Sequence, residues 1–102
     1  MFQLEPNPTF TAPVAIPVPG QGEATVEVKF KHMGKQGLQA FLDGAKDRTD
    51  IDSCSYIVAG WSGVSADYSP EALATLLENY HGAALAILQT YIRELTGQRV
   101  KN

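Results

Sequence analysis

The residues of this chain that could coordinate a metal ion are its one cysteine, Cys54, and its two histidines, His32 and His81. Zinc sites draw their ligands from closely spaced pairs, as in CxxC or HxxxH, and no such pair occurs here. Cys54 falls on the apolar side of a predicted helix without a neighbouring base, whereas a reactive thiol needs exposure and a lowered pKa. We therefore predict a buried structural thiol and no metal site, with His32 ending a strand and His81 in a turn between helices.

Acidic residues, glycines and serines also lack the patterns that common chemistries need. An EF-hand loop has acidic residues at its first, third and fifth positions, a central glycine and a terminal glutamate, and this order is absent. Gly20-Gln21-Gly22 lacks the third glycine and the following helix of a dinucleotide-binding loop, and no serine lies in a nucleophile elbow. The sequence therefore predicts that the protein is not an enzyme and has no cofactor. Solvated helix ends and caps are the positions expected for Asp43, Asp47, Asp50 and Asp52.

Composition and charge exclude several classes of partner. The formal net charge of -3, without a cluster of lysine or arginine, disfavours nucleic acid, whose binding requires a basic face. The first residues have neither the basic nor the apolar region of a signal peptide, and no apolar run reaches the ~20 residues that span a bilayer. A lone cysteine rules out an internal disulfide and fits a reducing compartment. We therefore expect a cytosolic protein that binds neither nucleic acid nor membrane.

The first third of the chain alternates in the manner of two β-strands. Three prolines in the first strand, at positions 13, 17 and 19, all have the parity opposite to the apolar residues, so their missing N–H groups fall on one side. This arrangement is typical of an edge strand. The sequence therefore predicts an antiparallel hairpin over residues 9–32, with its turn at Gly20–Gly22. Its inner face consists of Phe10, Ala12, Val14, Ile16 and Val18 in the first strand and Ala24, Val26, Val28 and Phe30 in the second.

The remainder of the chain has the periodicity of amphipathic helices. The first helix is predicted over about residues 35–47, and the second begins with Asp50 as its cap and places Cys54, Ile57, Val58 and Trp61 on one face. Ser69-Pro70 is an N-cap followed by a first helical residue, and Gly97 ends the last helix after a break at residues 79–82. The predicted fold is α+β, one domain over residues 1–102. An N-terminal antiparallel hairpin (9–32) is followed by a compact bundle of about four helices (35–97).

The last two helices contain more large apolar residues than one core seam requires. These residues recur throughout YSPEALATLLENYHGAALAILQTYIRELTG, residues 68–97. Tryptophan and tyrosine favour interfaces because each combines a large apolar area with a polar tip. Part of this surface is therefore expected to be exposed and to bind a partner. An alternative for rings such as that of Trp61 is a packing role between hairpin and helices. The candidate partner-binding residues are Trp61, Tyr80, Leu85, Leu88 and Tyr91.

On these segments the chain resembles the tail assembly chaperones of long-tailed bacteriophages and prophages. The resemblance is carried by LEPNPTFTAPVAIPVPG, VEVKFKH, FLDGAKDRTD, IVAGW and the segment 68–97, and it covers nearly the whole chain. It rests on overall pattern and length, because the family has no invariant catalytic signature. No family motif assigns partner contacts residue by residue.

The resemblance implies a non-enzymatic protein that binds the tape measure protein in the infected cell. It keeps that protein soluble until tail tube protein polymerises around it. The resemblance also implies location in the host cytoplasm, absence from the mature virion, self-association and the tail tube protein as a second partner. Many phages make a longer form by programmed frameshifting. An exposed apolar groove with weak, repeated contacts suits a helical apolar client.

One alternative is a structural component of the phage, such as a tail-completion or head–tail joining protein. Such proteins also combine a hairpin with helices, and they are retained in mature virions. A more distant class is a small enzyme or metal protein, which the residue patterns above do not favour.

Overall fold

In a computed structural model, which describes residues 1–97, a three-stranded antiparallel sheet is covered on one face by helices. The predicted α+β class, with an N-terminal hairpin and four α-helices, is confirmed. The hairpin consists of β1 (Thr9–Val18) and β2 (Gly22–Lys31), and β3 (Val58–Ser62) pairs with the other side of β2. The helices are α1 (Lys35–Asp43), α2 (Asp50–Ile57), α3 (Pro70–Asn79) and α4 (Ala83–Thr96), and a short 3₁₀ helix spans Ala45–Asp47.

The hairpin has one face in the core and one in solvent, as the alternation of its residues predicts. Cross-strand pairs on the inner face include Ala12 with Val28 and Val14 with Val26, all of them buried. Ala24, next to the turn, is exposed, unlike the other inner-face residues of its strand. β1 lies at an edge of the sheet, which confirms the prediction made from its prolines.

The strand β3 lies where the sequence predicted the end of the second helix. Along the β2–β3 pair, Phe30 lies opposite Val58, whereas Val28 lies opposite Trp61, so β3 contains one extra residue in a bulge. Because of this bulge, Val58 and Trp61 occupy the same face of the sheet although they are three positions apart. A spacing of three positions also fits one face of a helix, and the sequence therefore predicted Trp61 in the second helix. The structure places Trp61 in β3, so that prediction is wrong.

Three of the helix ends follow from capping residues. Ser69 Oγ accepts a hydrogen bond from the Ala72 N–H at 3.0 Å, with Pro70 as the first helical residue of α3, as predicted. Gly97 ends α4 with a φ of 70°, a conformation that side chains with a Cβ rarely adopt. At α2 the cap is Thr49, whose hydroxyl accepts from the Asp52 N–H. Asp50, predicted as this cap, is instead the first residue of the helix.

The helix α4 packs across β1 and holds the aromatic part of the core. The helix begins close to the turn end of β1. The ring of Pro17 fills the space beside Gly82, the N-cap residue of α4. Further along the helix, the Tyr91 ring lies 5.3 Å from Phe30 and 5.9 Å from Phe10, measured between ring centroids. α4 takes no part in the groove that opens between α3 and the end of β3.

Candidate partner-binding surface

An open groove of about 330 Å³ lies between β3, the loop that follows it and α3. On α3 it is lined by residues at positions 72, 75, 76 and 79, a spacing that defines one face of a helix. The neighbouring face of α3 points inward and buries Leu73 completely. Most of the lining residues are apolar or aromatic, namely Trp61, Val64, Ala66, Ala72, Leu76 and Tyr80. Ala66 is exposed, and the other five are partly buried. The groove therefore presents apolar surface to solvent.

Trp61 is held in place at the wall of this groove. Its indole N–H donates a hydrogen bond of 2.9 Å to the carbonyl oxygen of Ala66, which ties the loop to β3. Its ring meets that of Tyr68 edge to face, with 5.0 Å between the centroids. The Tyr68 hydroxyl donates to the Val58 carbonyl oxygen, and burial raises the pKa of Tyr68, with a smaller contribution from Cys54. A wall fixed in this way loses little conformational entropy when a partner binds.

The structure brings two of the predicted partner-binding residues together, since Trp61 and Tyr80 both line the groove. Leu85, on α4, leaves 60% of its surface exposed, as expected for an apolar residue outside the core seam. Leu88, one turn further along α4, is partly buried against the core. Contact of these residues with a partner stays a prediction.

Tyr91, the fifth of the predicted residues, lies in the core. Its relative exposure is 0%, and its hydroxyl donates a hydrogen bond of 2.7 Å to the carbonyl oxygen of Lys31 at the end of β2. Burial raises the pKa of Tyr91 to about 12, with a smaller contribution from Tyr56. Tyr91 therefore joins α4 to the sheet and is not part of the candidate surface.

Cys54 is buried, as predicted, and its thiol lies 4.0 Å from the carbonyl oxygen of Ala84. Burial, with a smaller contribution from Asp50, raises the pKa of Cys54 to about 12. The thiol is therefore neutral and inaccessible at neutral pH. His32 directly follows β2 and His81 lies between α3 and α4, both as predicted. Within residues 1–97, no group of three or more His, Cys, Asp and Glu residues could hold a metal ion.

Sequence reasoning missed part of the groove. Val64 and Ala66 lie in the loop after β3, and no periodicity marks a loop residue as part of a surface. Ala72 could have been found, because it precedes Leu76 and Tyr80 at intervals of four and so shares their side of the helix. Exposed apolar side chains outside the groove were also missed, namely Phe2, Leu4 and Tyr56.

A second depression, of about 440 Å³, lies between the start of α1 and the end of α4. Its lining includes Met33, Leu38 and Leu95 together with polar residues such as His32 and Lys35. Within the described part of the chain, none of the helices combines the length and apolarity that crossing a membrane requires.

Comparison with known proteins identifies a family. The sequence model of a family described as phage tail assembly chaperone matches residues 1–102. Neither a curated protein nor a solved structure matches the chain significantly. The family match includes the hairpin, the groove and the exposed side of α4. Because it extends over all 102 residues, the chain belongs to the phage tail assembly chaperone family.

Proposed function

We propose that the protein is a non-enzymatic chaperone that binds the tape measure protein in the host cytoplasm and keeps it soluble while the tail is assembled. Membership of the family supports a chaperone role in tail assembly. The observation that carries the proposed binding is the open apolar groove with Trp61 and Tyr80 in its lining. Partly exposed aromatic residues are the side chains that most often anchor protein partners.

The size of the groove suits a contact that forms and releases readily. It extends from Ala72 of α3 to Tyr80, the residue that follows the helix, a distance of roughly 12 Å at ~1.5 Å per residue. A contact surface of only about two helical turns binds a helical segment weakly by itself. A long client offers many such segments, and several chaperone copies bound along it would hold it by avidity. Weak individual contacts would then allow the tail tube protein to displace the chaperone.

The exposed side of α4 is the second proposed contact. Leu85 and Leu88 lie one turn apart there, and Leu85 is among the most exposed large apolar residues of the described elements. We assign this side to the client or to contact between copies of the chain. The proposed self-association would align several grooves along one client.

Co-expression with the tape measure protein tests the proposal. We expect the tape measure protein to move into the soluble fraction and to co-purify with the chain. Leu85→Glu should reduce the complex while leaving the fold intact, because this side chain is mostly outside the core. Gln89→Glu is the matched control, since it adds the same charge at another exposed position of α4. A tape measure protein that stays insoluble and forms no complex would contradict the proposal.

Purified phage particles provide a separate check on the role. A chaperone of this kind leaves before the tail is complete, so mass spectrometry of mature virions should not detect it. Retention in stoichiometric amounts would favour a structural component, such as a tail-completion or head–tail joining protein.

A further inference from the structure

Charge is segregated along this chain, and the groove lies in the acidic part. Residues 49–92 contain no lysine or arginine, whereas they contain Asp50, Asp52, Asp67, Glu71 and Glu78. The last three of these come from the loop and the helix that form the groove, and all three are exposed to solvent. The strand, loop and helix that form the groove therefore contain acidic side chains and no lysine or arginine.

Helix geometry places two of these carboxylates beside the groove. Glu71 and Glu78 are seven positions apart, so they lie in line along α3. They flank the groove face on the side away from the buried Leu73, and Thr75 of the lining lies between them. Asp67 directly follows Ala66, the residue whose carbonyl group accepts the hydrogen bond from Trp61. Negative charge thus borders both the loop end and the length of the groove.

No lysine of the neighbouring strand compensates this charge from within the sheet. Lys29 of β2 is the cross-strand partner of Gly60, whereas Trp61 pairs with the buried Val28. Since successive residues of a strand point to opposite faces, Lys29 lies on the face of the sheet opposite to the groove.

From the apolar lining and the acidic border we infer that the groove binds an amphipathic helical segment whose apolar stripe is flanked by lysine or arginine. The inference rests on the proposed function, of which it specifies the client chemistry. The groove is roughly two helical turns long, which matches apolar side chains spaced at i, i+3 or i+4, and i+7. Lysine or arginine beside that stripe would meet Glu71 and Glu78, and such pairs favour the correct partner and its orientation.

The chain itself offers a competing occupant, which the charges disfavour. Its N-terminal segment exposes Phe2 and Leu4 by 89% and 92%, so a second copy could insert these side chains into the groove. This segment contains Glu5, however, and the first basic residue of the chain is Lys29. A segment without lysine or arginine side chains lacks the flanking basic groups that would pair with Glu71 and Glu78 at the border of the groove.

Fluorescence titration tests the inference directly, because Trp61 is the only tryptophan of the chain. The probes are synthetic helical peptides of equal length, without tryptophan or tyrosine, that share one leucine stripe. In one peptide the stripe is flanked by lysines, and in a second by glutamates. We expect the lysine peptide to cause a saturable change in Trp61 emission and to bind roughly tenfold more tightly than the glutamate peptide. This preference should shrink at high salt, since exposed charges are screened.

A third peptide tests the helical form of the ligand. It has the composition of the lysine peptide, with a proline at the centre that breaks the helix. We expect it to bind more weakly than the uninterrupted lysine peptide. Equal binding of the two would show that the ligand is not helical and would overturn that part of the inference.

Charge reversal in the protein provides the matched test. The double variant Glu71→Lys/Glu78→Lys should prefer the glutamate peptide. The control Glu23→Lys/Glu27→Lys changes the net charge by the same amount at exposed positions of β2, and it should keep the wild-type preference. The inference fails if both peptides bind equally, if neither binds, or if the control loses the preference as well. It also fails if Trp61 emission changes with the concentration of the chain when no peptide is present, and if Phe2→Ser/Leu4→Ser abolishes this change. That result would show that the N-terminal segment of a second copy occupies the groove.

Failure of this inference can be separated from failure of the proposed function. If Glu71→Lys/Glu78→Lys still keeps the tape measure protein soluble and no peptide preference exists, the chaperone role stands and the charge inference is wrong. If the peptides bind as expected but the tape measure protein does not, the chemistry of the groove stands and its client is a different protein.

Discussion

At the scale of single residues, the groups with the most perturbed protonation serve packing. Strongly shifted pKa values often mark catalytic residues, where a specific charge or hydrogen bond tunes a reactive group. Here the pKa of Cys54 and that of Tyr91 both rise to about 12, and burial is the main cause for each. Both groups therefore stay neutral at neutral pH. Their environment matches the role of core residues.

The hydroxyl of Tyr91 gives a prediction about stability. Tyr91→Phe keeps the ring and removes the part-buried hydrogen bond to the Lys31 carbonyl oxygen. We expect the free energy of unfolding to fall by about 1–2 kcal/mol, as measured by urea denaturation. Tyr56→Phe is the control, because Tyr56 is 61% exposed and its variant should stay within about 0.5 kcal/mol of wild type. Equal stability of Tyr91→Phe and Tyr56→Phe would contradict this role for Tyr91.

At the scale of elements, close approach of helix and strand gives a second prediction. A Cβ at Gly82 would lie 2.8 Å from Cγ of Pro17, a ring atom that cannot move aside by rotation. Gly82→Ala should therefore lower the free energy of unfolding by about 1–3 kcal/mol, because α4 must shift away from β1. Gly37→Ala in α1 is the matched control. Its Cβ meets its nearest neighbour, Met33 Cβ, at an ordinary 3.6 Å, and it should stabilise the helix by up to about 1 kcal/mol.

Comparison of the two variants also gives the result that would contradict this packing. If Gly82→Ala is as stable as Gly37→Ala in urea denaturation, α4 does not rest on Pro17 as described. Because both variants replace glycine by alanine, the difference between them removes the common effect on the unfolded chain.

Elements with strong local signals were predictable from the sequence, and the exception has a physical cause. The alternation of Ala12, Val14 and Ile16 and the Ser69-Pro70 cap each predicted what the structure has, because local chemistry decides them. The bulge in β3 gives Val58 and Trp61 a common face at a spacing of three, which is indistinguishable from a helix without knowledge of the pairing with β2. The pairing of β3 with β2 depends on the tertiary structure, so the sequence did not predict the third strand.

The candidate site was only half predictable for a related reason. Aromatic identity drew attention to Trp61 and Tyr80, and both line the groove. Tyr91 belongs to the same apolar pattern as its neighbours, yet the rotation of α4 buries it against Phe30. Which side of an apolar helix faces the core depends on what packs against it, and the sequence of one helix does not contain that information.

At the scale of the whole molecule, the surfaces have different characters. The outer face of the hairpin is exposed, and it is polar along β2. The prolines of β1 remove hydrogen-bond donors from its free edge, which opposes open-ended growth of the sheet. The helical side carries the apolar groove and the exposed Leu85. We therefore expect partners to bind on the helical side by side-chain contacts rather than by strand addition at β1.

We propose that this chain keeps the tape measure protein from aggregating. The most direct measurement is light scattering after the tape measure protein is diluted from denaturant into buffer that contains increasing amounts of the chain. We predict that scattering falls as the amount of chain rises, because its apolar grooves cover the exposed apolar segments of the client. Scattering that matches a control with an unrelated acidic protein of similar size would contradict the account.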